Sequence, residues 1–129
     1  MSRHEEAIRS EFGPSFVEKF HHATKAYQEF MDALGIPKDQ HSQETAERVA
    51  KMFFLERCLA LHKDPPAIKL FDNEGCNEYV VVRDIPYVSI CAHHHVAFFG
   101  KVHVAYLPGK KVTGLSKFGR VVQYFASKP

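Results

Sequence analysis

The stretch Glu78–Leu107, "EYVVVRDIPYVSICAHHHVAFFGKVHVAYL", decides the fold. Its first part is dense in Val, Ile and Tyr, residues that fit a pleated, half-buried surface. Its last part sets Val102, Val104 and Tyr106 against Lys101, His103 and Ala105, the period of two expected of a strand with one buried face. Two antiparallel strands follow from this pattern, joined by the loop "SICAHHHV", Ser89–Val96, which carries one cysteine and three consecutive histidines.

Cysteine and histidine are the side chains zinc prefers, and a catalytic zinc takes three protein ligands and keeps one position open. Cys91 and His94 are three residues apart, so a tight loop can aim both at one ion. His93 then points elsewhere, free to carry a proton near neutral pH. His95 is either a competing ligand or a surface residue. A packing role explains a lone histidine well and this cluster poorly. Cys58 falls in an amphipathic helical pattern and reads as a small hydrophobe. Cys76 lies in a polar loop and is a weak ligand candidate, so the residues alone leave a third ligand unassigned.

Upstream, the pattern is helical. Phe16, Phe20, Ala23, Tyr27, Phe30, Met31 and Leu34 recur three and four apart, and Gly35-Ile36-Pro37 ends that helix. A second helix is expected from near Ser42 through Val49, Met52, Phe53, Leu55 and Leu59, stopped by His62-Lys63-Asp64-Pro65-Pro66. "AIKLFDNEGCNEY", Ala67–Tyr79, reads as a polar connection. After the hairpin, Pro108-Gly109 turns the chain, and "GLSKFGRVVQYFAS" places Leu115, Phe118, Val122 and Phe125 on one helical face. The expected class is α+β, with a helical region over 1–66 and a hairpin-plus-helix region over 67–129. A two-stranded sheet is marginal alone and its edges seek partners, so completion of the sheet by another chain is expected.

Two basic pairs accompany the loop. Ser116, Lys117 and Arg120 stand at a helix N-terminus, where hydroxyl, ammonium, guanidinium and free backbone N–H groups together suit a phosphate. Arg48 and Lys51 share one face of the second helix. Solvated surface charge is the competing reading for both pairs.

Composition narrows the classes. The 129 residues hold 45% hydrophobic and 25% charged side chains, as ordinary globular domains do. A net charge of +2 gives no reason to expect nucleic acid. No apolar run approaches the ~20 residues needed to span a bilayer, and the charged start "MSRHEEAIRSEF" is unlike a signal peptide. Three cysteines without framework spacing argue against disulfides and for a cytoplasmic setting.

"VVRDIPYVSICAHHHVAFFGKVHVAYLPGKKVTGLSKFGRVVQYFASKP" resembles the central region of the GTP cyclohydrolase I family. The family's cysteine–acid–His–His loop, Gly-Lys-X-X-X-X-Tyr strand and Gly-Leu-Ser-Lys helix start occur in order, and "ETAERVAKMF" is similar to its Glu-Thr-Pro-X-Arg-X-Ala-Lys-Met segment. The resemblance implies a zinc enzyme converting GTP to dihydroneopterin triphosphate and formate. It implies Cys91 and His94 as two of three zinc ligands, His93 as catalytic acid/base, and Ser116, Lys117, Arg120, Arg48 and Lys51 as triphosphate contacts. It implies a tunnelling-fold subunit in a ring-shaped homo-oligomer, a decamer when complete, with sites at subunit interfaces.

Four positions depart from the family pattern: Ala92 for the usual acid, Ala46 for proline, Glu47 for a residue often histidine, and His95 for an apolar one. The family's Gln-Val-Gln-Glu-Arg-Leu motif, with its guanine-anchoring glutamate, and its third ligand, a cysteine, have no counterpart in residues 1–129. The chain is thus expected to be part of a subunit, weakly folded or catalytically silent alone, with a fragment or split enzyme as one reading. The other is a non-catalytic relative that binds a nucleotide or pterin or associates with a complementary chain.

Overall fold

A computed structural model describes residues 1–129. The chain divides into two compact units, Met1–His62 and Lys63–Pro129.

The first unit is helical: α1 (Arg3–Phe12), α2 (Ser15–Ala33) and α3 (Thr45–Met52), continued by one π turn (Phe53–Arg57) and one 3₁₀ turn (Leu59–Leu61). Ser2 caps α1 by accepting from the Glu5 N–H at 3.2 Å, which satisfies one otherwise orphaned donor. Gly13, at φ 87°, returns its N–H to the Arg9 carbonyl and lets α2 begin two residues later. The core is Ile8, Phe20 and Ala50, one residue from each helix, with Phe12, Phe16, Ala23, Phe54 and Leu55 packed around it. His62 stacks on Phe54 at 5.3 Å and meets Phe16 edge-on. Burial, with Lys19 adding repulsion, holds its pKa below the ordinary histidine value.

The long second helix expected from Ser42 to Leu59 is shorter and interrupted. Residues 40–44 form a turn in which the Asp39 carboxylate accepts the backbone N–H groups of His41 and Ser42. These bonds hold its pKa below the usual carboxylate value. The helix widens at Phe53–Arg57, where Cys58 N–H reaches the Phe53 carbonyl at 2.7 Å. Cys58 is half-buried, and burial raises its thiol pKa, the behaviour of an inert packing cysteine. Phe30 and Leu34, expected on the apolar face, are 55% and 60% exposed. Periodicity identifies a face without supplying something to cover it.

The second unit is built on the hairpin. Strands β2 (Val80–Ile90) and β3 (Ala97–Tyr106) pair antiparallel from Val80↔Tyr106 to Ile90↔Ala97. A bulge at Arg83-Asp84 shifts the register, so Val80 and Val82 before it share a face with Ile85, Tyr87 and Ser89 after it. Asp84 sits at φ 59°, and its N–H donates to His103 Nδ1 at 3.1 Å, which closes the bulge. Helix α4 (Ser116–Ala126) packs on β2. Gln123 Nε2 donates to the Pro86 carbonyl at 2.6 Å and Tyr124 Oη to the Lys63 carbonyl at 2.9 Å.

The stretch read as a polar connection contains β1 (Leu70–Asp72), which pairs antiparallel with β4 (Lys111–Thr113). Three residues are too few to announce a strand by period. The Asn73 side chain secures the neighbouring loop, donating to the Cys76 and Gly109 carbonyls at 2.8 Å each. No helix is long and apolar enough to cross a membrane.

Gly100 stands opposite Tyr87, and a Cβ there would lie 3.0 Å from the tyrosine ring. Tyr87 in turn packs edge-on against Phe98, so it has little room to retreat. Gly100→Val is expected to destabilise this unit by about 1–3 kcal/mol through overpacking. Tyrosine fluorescence during urea unfolding reports it, because the chain has no tryptophan and four of its five tyrosines lie after residue 62. Equal or greater stability of the variant would refute the clash.

Candidate metal and phosphate site

Ile90 and Ala97 are the last paired residues of the hairpin, which leaves Cys91–Val96 as its loop. Two backbone bonds close it: Cys91 N–H to the Val96 carbonyl at 2.9 Å, and His95 N–H to the Cys91 carbonyl at 2.8 Å. Closure forces His95 to φ 54°, a region where His is tolerated better than a β-branched residue. Cys91 is half-buried, while His93, His94 and His95 are exposed. The Cys91 Sγ lies 3.6 Å from His93 Nδ1, and the His93 and His94 rings are 6.3 Å apart.

The loop therefore presents a thiol and imidazoles together on a short, closed turn. As donors they suit zinc in kind. In number they fall short: nowhere in the 129 residues do three His, Cys, Asp or Glu side chains converge on a possible ion position. Cys76 is exposed in the loop that Asn73 secures, and Cys58 belongs to the helical unit.

Ser116, Lys117 and Arg120 occupy the first two turns of α4, with Ser116 and Arg120 exposed. No side chain caps this helix start; the Lys117 and Phe118 N–H groups turn back onto the Gly114 and Leu115 carbonyls at 3.0 and 3.3 Å. Tyr106 fixes the position of the start. Its ring packs on Phe118 at 5.6 Å, and its hydroxyl accepts the Thr113 N–H at 3.3 Å. Because Tyr106 pairs with Val80, the helix start lies at the end of the hairpin opposite the Cys91 loop. Ten strand residues separate the two, roughly 30 Å at ~3.3 Å per residue. One copy of the chain does not bring its thiol loop and its Lys117 helix start into a single site.

Arg48 and Lys51 lie on α3 in the helical unit, three residues apart as their spacing predicts. Arg48 is engaged there: its Nη2 is 3.1 Å from Glu44 Oε2. A glutamate four residues before an arginine is a recognisable helical pair, so this contact has a sequence signal.

The sequence model of the family described as GTP cyclohydrolase I matches residues 23–129. The chain belongs to this family. It is 46% identical over 112 residues to GTP cyclohydrolase 1 of Corynebacterium glutamicum, covering 83% of this chain and 56% of that protein. It is 44% identical over 108 residues to GTP cyclohydrolase 1 of Aquifex aeolicus, covering 81% and 56%. It is 43% identical over 108 residues to GTP cyclohydrolase 1 of Streptococcus agalactiae, covering 81% and 57%. The chain thus spans a little over half the length of these curated relatives. The observed mixture of helices and antiparallel strands agrees with membership of the GTP cyclohydrolase I family.

Proposed function

We propose that the chain is the metal-loop and phosphate-binding portion of a GTP cyclohydrolase I, which hydrolyses GTP to 7,8-dihydroneopterin triphosphate and formate. The observation that carries this reading is the closed Cys91–Val96 turn, which groups a thiol with exposed imidazoles at the tip of a rigid hairpin. Cys91 and His94 would hold zinc together with a donor from outside residues 1–129. Zinc, when bound, would supply the Lewis acidity that makes water nucleophilic near neutral pH. His93 would protonate the purine ring and pass protons during water attack. Ser116, Lys117 and Arg120, with Arg48 and Lys51, would orient the triphosphate by charge-assisted hydrogen bonds.

The separation of loop and helix start within one copy supports a site shared between copies, and with it the ring-forming tunnelling fold. A site that uses both features takes them from different subunits. A second reading, a non-catalytic relative that binds the nucleotide or associates with a complementary chain, draws on the incomplete donor set.

Zinc stoichiometry measured together with GTP-dependent formate release separates the two, on protein of verified mass supplied with zinc. About one zinc per chain with formate released upholds the catalytic reading. Nucleotide binding with neither zinc nor formate upholds the second.

A further inference from the structure

We propose that Glu44 is an internal anion that occupies the Arg48 guanidinium and must be displaced before a phosphate can bind there, loosening the first turn of α1 as it leaves. The inference rests on the reading that Arg48 meets a phosphate, and adds a residue that regulates it.

Glu44 directly precedes α3, and a single oxygen, Oε2, gathers its contacts. Arg48 Nη2 stands at 3.1 Å and Arg3 Nη2 at 3.1 Å. His4 Nε2 is 3.6 Å from the same atom. Arg3 Nε additionally donates to His4 Nε2 at 3.4 Å. The Arg48 hydrogen bond, then the Arg3 charge, holds the Glu44 carboxyl below the usual glutamate pKa, so it is an anion at neutral pH.

A phosphate oxygen offers Arg48 the same charge-assisted contact as Glu44 Oε2, and a phosphate that uses Nη2 competes with Glu44 for that donor. The two arginines and Glu44 are largely exposed, with side-chain exposures of 71%, 52% and 47%. Such pairs are individually weak and exchange readily, so a polyanion can displace Glu44. The same oxygen holds Arg3, so displacement removes one polar contact of the first turn of α1 and leaves its Ser2 cap and Glu5–His21 pair in place. Ile8, wholly buried one turn later, keeps the rest of that helix docked. His4 is itself 6% exposed, and its Nδ1 is buried with no hydrogen-bond partner. That first turn is held at a cost already incurred, which favours its release.

Calorimetric titration with sodium tripolyphosphate, paired with peptide-level hydrogen exchange, tests the proposal on the whole chain. Glu44→Gln is expected to bind about fivefold more tightly than the wild type, the upper value of one exposed ion pair. Glu44→Ala should shift affinity the same way, and the advantage of both should shrink in high salt. Tripolyphosphate should accelerate exchange in the first turn of α1 of the wild type, and that turn should already exchange fast in Glu44→Gln. Binding lost in Arg48→Ala yet no tighter in either Glu44 variant overturns the gate while sparing the phosphate role of Arg48. Binding unaffected by Arg48→Ala overturns both.

Discussion

His93→Gln is expected to lower GTP-dependent formate release by about 10²–10⁴, the range of a lost general acid–base, while zinc stays bound. Cys91→Ala is expected to lower zinc affinity by at least about a hundredfold, since even supporting partners of a ligand are worth ~10–100-fold. The contrast matters because Cys91 Sγ contacts His93 Nδ1 at 3.6 Å, so proximity to the thiol does not by itself make His93 the proton carrier. A chelator-competition titration of zinc, run beside the formate assay on the complete, zinc-loaded assembly, separates the roles. If His93→Gln strips zinc and His94→Gln does not, the two histidines exchange places in the proposed site. Loss of formate with zinc retained in His93→Gln upholds the assignment.

Phe20→Ala is expected to cost the helical unit about 3–5 kcal/mol. Phe20 and Ile8 are the largest wholly buried side chains, at 1% and 0% exposure. Phe20 belongs to the one cluster drawing on α1, α2 and α3 together. Truncation leaves a cavity bounded by three helices, and their backbones cannot all close on it. Small domains have about 5–15 kcal/mol in total, so the variant should melt far earlier in far-UV circular dichroism. A loss below about 1 kcal/mol would show that the helices can slide to fill the space.

The local features were legible because their causes are local. Alternating Val102, Val104 and Tyr106 announces a strand from one short stretch, and β3 runs Ala97–Tyr106. Cys91, His93 and His94 were legible for a similar reason: the hairpin loop holds residues adjacent in sequence together. Lys117 and Arg120 were readable as a basic pair at a helix start, whereas their distance from the loop was not. That distance depends on Tyr106 packing against Phe118, twelve residues away in sequence and across a turn. Glu44 is legible as an acidic residue at a helix start, whereas its hold on Arg3, 41 positions away, is not.

By itself, the sequence determined the family, the helix-then-hairpin order, the donor types in the turn and the basic helix start. Each follows from residue chemistry, or from a period that a few neighbouring residues express. Only the tertiary structure decided that Leu70–Asp72 pairs with Lys111–Thr113, that Arg83-Asp84 bulges under His103, and that Glu44 holds Arg48 and Arg3. It alone set the Cys91 loop and the Lys117 helix start at opposite ends of one hairpin. These arrangements join residues more than 40 positions apart, 41 for Arg3 and Glu44. Packing and hydrogen-bond satisfaction over the whole unit select them, and no local pattern encodes that selection.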